Sequence, residues 1–486
     1  MAHIKFIDQT LRDGQQSLWG MRMQAGMALP VADLIDRVGY HVVDYTGSSM
    51  FEVLIKYCRE DPWAGVSLLT AAMPRSRLRA GMRSNACVTF AITPDALMDA
   101  WVRQLCKHGI RSFWIYDVLF NIDKMHRLAK VAKEYDAEVA LALMFTNSPV
   151  HSDEYYAKKA EALSASPHCD TLLVYDTAGV LLPERVRTLI PAIQKCARGK
   201  PLEIHSHNIT GLSSLSYFEA IKLGVEIVHT ASKPLANGAS MPSIQQMVRN
   251  VRQLGHTTDI DESLLPPIEE HFTKVAHAAG YPVGVPNEFD LFMYEHQVPG
   301  GMMGTFKNQL AMHKMPERLE EVLRETAVVR RELGYPGMAT PFSQLVGTTA
   351  VLNVVTGKRW TVIPDEIILY AKGHYGELAA PIDPNILDKI MSSPRAKELA
   401  SYTPPQPTIE ELRKQYGTQD DDELLLRALV PEQDIAAMRA AGPIKKTFPL
   451  LSSPELAEVD ALLRATTKAR QLHVETEGFT LTLRKD

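Results

Sequence analysis

Over residues 1–300 this chain alternates short apolar runs with longer segments whose apolar residues recur at helical spacing. Runs that are apolar on both faces are typical of parallel strands covered by helices. We predict eight such strands: Ile4–Asp8, Val42–Tyr45, Cys87–Ala91, Phe113–Tyr116, Val139–Met144, Leu172–Tyr175, Glu203–His205 and Glu226–His229. Eight strands with helices between them predict an α/β fold, a (β/α)8 TIM barrel, over residues 1–300.

This alternation ends at Val298–Gly301, and a second region follows. Residues 301–450 predict a mostly helical domain, with one helix over Glu317–Leu333 and another that opens at the acidic run Asp420–Glu423. Such a run is more typical of a first helical turn, where the helix dipole favours carboxylates, than of a metal site. Ser401–Thr408 holds three prolines and predicts a stiff linker.

Residues 451–486 predict a short C-terminal tail. Ser453 and Pro454 suit the cap and first turn of a helix that we expect to run to about Gln471. Leu472–Arg484 then alternates apolar and polar residues around Gly478, which predicts two strands joined by a turn. Because an isolated hairpin is marginal in water, we expect this ending to dock on another surface.

Composition narrows the class of partners. A net charge of −5 and a pI near 6.4 give no electrostatic case for binding nucleic acid or anionic lipid. The five cysteines form no Cys-x-x-Cys pair, which argues against a thiolate zinc site or a disulfide framework. The sequence has neither a bilayer-spanning apolar run nor a signal-peptide pattern, so we expect a cytoplasmic protein without direct membrane insertion.

Two short segments far apart in the chain carry the side chains of a metal site. Arg12–Gln16 follows the first predicted strand, and His205–Asn208 lies at the end of the seventh. Asp13, His205 and His207 supply a carboxylate and two imidazoles, which are ligand types for divalent metals. Residues i and i+2 of a strand point to one face, so both imidazoles can reach one ion. A lone His-x-His is more often structural, but its coupling to Arg-Asp-Gly favours the metal site.

These residue types predict a metal-assisted enzyme. An ion with three protein ligands keeps coordination positions open, so it can polarise a substrate carbonyl and stabilise an enolate. Arg12 adds a permanently charged, planar donor pair beside the developing oxyanion.

Several segments resemble the carboxyltransferase barrels of biotin-dependent enzymes, a family that includes pyruvate carboxylase, the oxaloacetate decarboxylase alpha subunit and a transcarboxylase subunit. Ile7–Ser17 is similar to the first-strand motif of that family, and Asp176–Leu181 and Ile204–Asn208 resemble its later strand ends. The segments that resemble the barrel exit and the helical domain are Tyr294–Gly301, Leu333–Thr348 and Lys372–Gly376. The helical domain favours the biotin-dependent branch over the lyases and synthases that share the barrel.

The resemblance implies roles for three residues that contact the substrate. Arg12 and Gln16 would be catalytic, contacting the keto group of a 2-oxo acid of the pyruvate or oxaloacetate type and the carboxylated biotin. Arg83 falls where the family binds the substrate carboxylate. A bidentate arginine–carboxylate pair gives a physical reason for that residue type.

The resemblance also implies cofactors and partners. Asp13, His205 and His207 would bind a divalent metal, with zinc, manganese and cobalt as candidates. The chain has no Met-Lys-Met biotinylation motif, so biotin would arrive on a separate carrier protein charged by a separate biotin carboxylase subunit. The tail from about residue 455 resembles the segment before a biotinyl domain and is expected to dock the carrier. Family members commonly form homodimers, which we expect here.

Two positions depart from the family pattern. Tyr175 stands where the family commonly has a carbamylated lysine as fourth metal ligand, so it either ligates as a phenolate or packs beside the ion. Asn237 is the alternative fourth ligand. Val285 stands near a threonine that passes a proton between biotin and substrate, which valine cannot do. Either Glu288 or Tyr175 carries that proton, or the acceptor differs from pyruvate, or the subunit is catalytically altered.

Three functions therefore remain open. The first is the carboxyltransferase subunit of a multi-subunit biotin-dependent carboxylase or decarboxylase. The second is a biotin-independent lyase or aldol-type enzyme on the same barrel, which would be active without a carrier. The third is a non-catalytic assembly subunit, which would bind little metal. The helical domain argues against the lyase, and the complete set of Arg12, Asp13, His205 and His207 argues against the assembly subunit.

Overall fold

The computed structural model describes residues 1–87, 91–450, 471–476 and 479–484. Its first eight strands close into a barrel in which each strand pairs in parallel with the next and the eighth returns to the first. The strands are β1 (Lys5–Asp8), β2 (Val42–Gly47), β3 (Leu78–Arg83), β4 (Ser112–Tyr116), β5 (Glu138–Met144), β6 (Thr171–Asp176), β7 (Leu202–Ser206) and β8 (Ile227–Thr230). The predicted (β/α)8 barrel is confirmed.

Helices wrap the barrel and then continue beyond it. Those of the barrel region are α1 (Gln15–Trp19), α2 (Ala25–Ala28), α3 (Ala32–Arg37), α4 (Ser48–Val53), α5 (Pro62–Ala72), α6 (Asp95–Lys107), α7 (Ile122–Lys133), α8 (Asp153–Ser164), α9 (Pro183–Cys196), α10 (Ser213–Lys222), α11 (Ile244–Gln253) and α12 (Leu265–Ala279). Those that follow are α13 (Met293–His296), α14 (Gly300–Met312), α15 (Leu319–Glu332), α16 (Phe342–Thr356), α17 (Asp365–Ala371), α18 (Pro384–Ser392), α19 (Pro394–Glu398), α20 (Ile409–Tyr416), α21 (Asp421–Leu429) and α22 (Glu432–Ala440).

The third strand is not where the sequence placed it, so that prediction was wrong. Cys87 and Ala91 lie in bends, and the residues between them fall outside the described part of the chain. The strand is formed by Leu78–Arg83. Its two arginines and one glycine interrupt the apolar run that is typical of a buried strand, so the sequence pattern did not indicate it. Arg79 is buried because it pairs with Glu203 of β7, a long-range contact that no local pattern reveals.

The interior of the barrel is polar along β7. Because side chains alternate along a strand, Glu203 and His205 share one face with His207, just beyond the strand end. Glu203 meets Arg79 of β3 across the barrel, so this shared face is the interior. The two histidines therefore project toward the mouth at the carboxyl ends of the strands.

The helices after the barrel are fastened to the carboxyl end of β5. Arg330 in α15 donates to Thr146 Oγ1 at 2.8 Å and to the Asn147 carbonyl at 2.9 Å. Gln297 binds the same two residues, accepting from Thr146 Oγ1 at 3.0 Å and donating to the Asn147 carbonyl at 2.7 Å. These contacts hold the helical region against the mouth of the barrel.

Two helix predictions for the helical region are confirmed. Helix α15 covers most of Glu317–Leu333. Ser401–Thr408 contains neither helix nor strand, and its predicted stiffness stays a prediction. Asp420 caps α21, because its side chain accepts from the Glu423 backbone N–H at 3.0 Å. The predicted domain boundaries at 300 and 450 stay predictions. None of the helices in the part of the chain that the structure describes is long and apolar enough to cross a membrane.

The C-terminal residues return to the barrel before the tail. A Cβ on Gly26 of α2 would lie 2.6 Å from the Lys445 carbonyl oxygen, so the two backbones approach closely. In the tail, β9 (Gln471–Thr476) and β10 (Phe479–Arg484) pair antiparallel, as predicted. The predicted helix from Ser453 and the turn at Gly478 lie outside the described residues.

Candidate metal centre

A single π-helical turn, Thr10–Gly14, follows β1 and carries Arg12 and Asp13. Asp8 at the end of β1 anchors the turn, accepting from the Thr10 hydroxyl at 2.5 Å. Gly14 is needed for close packing, since a Cβ there would lie 2.9 Å from the Leu235 carbonyl oxygen. Such wide turns are rare and often occur at functional sites. This one aims the Asp13 carboxylate into the barrel mouth.

Three predicted ligands converge at that mouth. Asp13 Oδ2 lies 3.1 Å from His205 Nε2 and 3.2 Å from His207 Nε2. The three candidate ligand atoms all lie within 4.8 Å of one another, and all three residues are buried. The structure thus brings together a carboxylate and two imidazoles, as the sequence predicted.

The ring nitrogens of the two histidines that face the Asp13 carboxylate are the Nε2 atoms. His207 Nδ1 lies 2.6 Å from the Ala239 carbonyl, which only accepts, so Nδ1 carries a proton, and Nε2 lies 3.2 Å from Asp13 Oδ2. His205 Nε2 is buried and makes no well-aligned hydrogen bond to any described residue, although Asp13 is close. Two imidazole Nε2 atoms facing a carboxylate are a ligand set that fits a divalent cation, which would take the place of any proton on His207 Nε2.

Charge and burial set the protonation states that a metal requires. Burial alone would raise the pKa of Asp13, but the charges of Arg12 and His207 outweigh it and hold that pKa well below its ordinary value. Burial holds the pKa of His205 well below its ordinary value despite the neighbouring carboxylate. For His207, burial lowers the pKa, but the charge of Asp13 outweighs it and the net change is upward. A carboxylate and a neutral His205 are ready to bind metal, while binding at His207 displaces any proton.

Arg12 is immobilised beside the triad. Its Nη2 lies 3.0 Å from Asp13 Oδ2, and its Nε donates to Asp44 Oδ2 at 3.3 Å. Its guanidinium carbon lies 4.8 Å from the centroid of the Trp114 ring, within the range of a cation–π contact. Trp114 occupies this place because Gly81 has no side chain, and a Cβ there would lie 2.4 Å from the ring. A fixed guanidinium is suited to stabilising charge that develops on a substrate oxygen.

A cavity of about 500 Å³ lies between the barrel mouth and the helical region. On the barrel side it is lined by Gln16, Ser17, Leu18, Gly20, Met21, Ser49, Glu52, Val53, Tyr116, Tyr175, Thr177 and His207. The opposite side is lined by Pro299, Gly300, Gly301, Met302, Gly304, Thr305, Ala339, Thr340, Ser343 and Gln344. Of the described residues that line it, Glu52 carries the one carboxylate, and none is lysine or arginine. The cavity has the size of a small-molecule site, with His207 and Gln16 in its wall.

Tyr175 lies beside the triad, at the end of β6. Its Oη is 3.5 Å from Asp13 Oδ2, and its ring meets the His205 ring edge-on at 4.6 Å. Burial raises the pKa of Tyr175 well above its ordinary value, so the phenol keeps its proton. Of the two predicted roles, this geometry favours packing beside the ion, with the hydroxyl as a hydrogen-bond donor.

Four other predicted residues lie away from the cavity wall. Arg83 is buried and donates to the Cys87 carbonyl. Asn237 sits in a left-handed turn, and its side-chain oxygen accepts from Asn208 at 3.2 Å. Val285 is 63% exposed and Glu288 is exposed on the same irregular loop. None of the four lines the cavity among the residues described there, so their predicted roles stay predictions.

Sequence reasoning missed the residues that surround the ligands. Glu203 and His229 lie inside β7 and β8, Asp44 lies inside β2, and Gln9 directly follows β1. All four are buried and hydrogen-bonded to one another, to Arg12 or to His205. The sequence did contain one signal, a charged residue inside an otherwise apolar strand. Because buried charges are almost always paired, such a residue indicates a buried partner elsewhere in the barrel.

The fold and this arrangement define a class: a (β/α)8 barrel with a candidate divalent-metal triad beside a cavity that residues of the helical region also line. The chain is 32% identical over 452 residues to a pyruvate carboxylase subunit of Methanocaldococcus jannaschii, covering 91% of this chain and 79% of that protein. It is 30% identical over 457 residues to the 2-oxoglutarate carboxylase large subunit of Hydrogenobacter thermophilus, covering 91% of this chain and 69% of that protein. The chain therefore belongs to the carboxyltransferase family of biotin-dependent carboxylases.

Two further comparisons agree with that membership. Residues 293–479 match the family model described as the conserved carboxylase domain. The carboxyl transferase domain of Rhizobium etli pyruvate carboxylase, solved with pyruvate and biocytin, superposes with a TM-score of 0.82 at 21% sequence identity. That match covers 99% of this chain and 84% of the solved chain, so the shared fold extends over both regions.

Proposed function

We propose that this chain is a carboxyltransferase subunit that moves a carboxyl group between carboxybiotin and a 2-oxo acid. The observation that carries the proposal is the convergence of Asp13, His205 and His207 beside a cavity of about 500 Å³. A divalent ion held by these residues would act as a Lewis acid on the keto oxygen of the substrate. Pyruvate and 2-oxoglutarate, which the relatives' names indicate, are the first acceptors to test.

The chain's own residues would do the remaining work. Arg12, held between Asp13 and Asp44, would stabilise negative charge on the keto oxygen as the adjacent carbon loses or gains a carboxyl group. Gln16 lines the cavity and would orient the substrate by its amide. Cavity walls contributed by both regions would exclude water from the reaction.

Tyr175 is the better of the two residues predicted to carry the proton. It lines the cavity, whereas Glu288 is exposed and does not. A hydroxyl can accept one proton while it donates another. This is the proton-transfer role that the resemblance assigns to the family's threonine. We therefore propose that the Tyr175 hydroxyl passes the proton between biotin and substrate.

The proposed partners are a biotinylated carrier protein and a biotin carboxylase. The relatives are named as single subunits of their carboxylases, which supports a multi-subunit complex. The hairpin β9–β10 follows, along the chain, the residues whose backbone approaches Gly26 of α2, and we propose it as part of the docking site for the carrier.

The reaction can be tested by solvent exchange. The chain loaded with zinc, manganese or cobalt is incubated in D2O with pyruvate and free biotin, and proton NMR follows the methyl group. We expect deuterium to enter that group, because polarising the keto oxygen acidifies the adjacent carbon. A chelator should abolish the exchange. Bound metal without exchange in pyruvate or in 2-oxoglutarate would contradict the proposed function.

A further inference from the structure

A buried chain of hydrogen bonds runs along the barrel interior to the candidate metal centre. Arg79 of β3 donates to Glu203 of β7 through Nη1 at 2.7 Å and through Nη2 at 3.1 Å. Glu203 Oε2 lies 2.9 Å from His229 Nε2, on β8. His229 Nδ1 in turn lies 3.0 Å from His205 Nδ1. The exposed fraction of each of these four side chains is 1% or less, so water does not compete for the bonds.

The direction of each bond follows from the carboxylate. Glu203 accepts from two nitrogens of Arg79 and from the Thr171 hydroxyl, so both of its oxygens act as acceptors. A carboxylate paired with a guanidinium in this way only accepts, so His229 Nε2 carries the proton of the bond that it shares with Glu203.

Gln9 assigns the role of the other ring nitrogen of His229, Nδ1. Its Oε1 accepts from Arg12 Nη2 at 2.9 Å, and its Nε2 donates to Asp44 Oδ2 at 2.9 Å, which fixes the orientation of the amide. The same Nε2 lies 3.0 Å from His229 Nδ1. An amide nitrogen only donates, so His229 Nδ1 must accept. With a donor at Nε2 and an acceptor at Nδ1, His229 leaves His205 Nδ1 as the donor of their shared bond, so His205 Nε2 is left with the lone pair.

We propose that Glu203 and His229 are positioning residues of the metal centre, which fix the His205 tautomer that presents Nε2 to the ion. This role rests on the proposed metal function of Asp13, His205 and His207. Partners that orient a metal-binding histidine typically contribute 10–100-fold in metal affinity, although they never touch the ion. Glu203 itself is held by Arg79 and by the Thr171 hydroxyl at 2.6 Å, so it does not depend on His229 for burial.

Two amide variants at one position separate the two nitrogens of His229. In His229→Asn the side-chain oxygen stands where Nδ1 stood and can still accept from His205 and Gln9. In His229→Gln the amide stands where Nε2 stood, so it can still pair with Glu203, but the acceptor facing His205 is lost. We expect the dissociation constant for zinc to rise about 10–100-fold in the Gln variant and to stay within about threefold of wild type in the Asn variant.

The measurement is competitive titration of the full chain with zinc alone, repeated with cobalt, whose visible absorption reports the ligand set. Melting curves in chelator verify that each variant is folded. A weakened Gln variant with an altered cobalt spectrum, beside an Asn variant like wild type, supports the role of His229. Equal weakening of both variants, or wild-type affinity in both, overturns it. A wild-type chain that binds neither ion overturns the proposed metal function itself, which distinguishes the two failures.

Discussion

Replacing Asp13 with asparagine should remove the bound metal and carboxyl transfer together. Asp13 Oδ2 is the point that Arg12, His205 and His207 share, at 3.0, 3.1 and 3.2 Å. Asn keeps the size of the side chain but loses the charge that offsets the ion. Because Lewis-acid stabilisation of an oxyanion contributes several kcal/mol, we expect turnover to fall by about 10³-fold or more. Metal content is measured by elemental analysis, and turnover by carboxyl transfer at saturating metal.

Asp117→Asn is the matched control for that change. Asp117 is also a buried aspartate just beyond a barrel strand, but its carboxylate accepts from the Ser84 hydroxyl and from the Leu119 backbone N–H. We expect this variant to retain its metal. Normal metal content in Asp13→Asn, or equal metal loss in the two folded variants, would contradict the assignment of Asp13 as a ligand.

Replacing Arg79 with methionine should strongly destabilise the barrel. Arg79 is fully buried and bonds to Glu203, Glu138 and Ser112, which lie on three other strands. Removing it leaves Glu203 in the barrel interior without its cation. Breaking a buried pair by deleting one partner typically costs about 3–5 kcal/mol, and we expect a loss of that size in the free energy of unfolding. Urea unfolding in the presence of chelator measures it without a contribution from metal binding.

Arg103→Met provides the comparison on the surface. Arg103 pairs with Glu134 at 3.1 Å, but the two side chains are 41% and 45% exposed. Exposed pairs are screened by water and are typically worth about 0–1 kcal/mol, so the unfolding midpoint should hardly move. If Arg79→Met is as stable as Arg103→Met, then the buried pair does not support the barrel as described.

The parts of this fold that the sequence predicted are those determined locally. Apolar runs such as Val139–Met144 mark strands because both faces are covered, and His205 and His207 share a face because strands have a period of two. The π-helical turn at Thr10–Gly14 was not predicted, yet Asp13 reached the mouth because barrel strands end there. Seven of the eight strands and the identity of the candidate ligands therefore followed from pattern alone.

What the sequence did not predict depends on contacts between distant residues. The sequence of Leu78–Arg83 does not resemble a buried strand, because Arg79 is charged. Its burial is explained only by Glu203, which neutralises it from the other side of the barrel. The position of Val285 depends on how an irregular loop crosses the barrel rim, and such loops carry no periodic signal. The tautomer of His205 depends on a partner on another strand, His229. Local patterns contain none of this information.

The measurement that tests the proposed chemistry most directly is oxaloacetate decarboxylation by the metal-loaded chain, with and without free biotin, and with Asp13→Asn as the blank. We expect biotin to stimulate turnover, with about one metal ion bound per chain. A decarboxylation rate that is the same with and without free biotin would contradict this expectation and indicate a lyase on the same barrel. A metal-free and inert chain would contradict it as well, and would indicate a subunit that assembles the complex without catalysing the reaction.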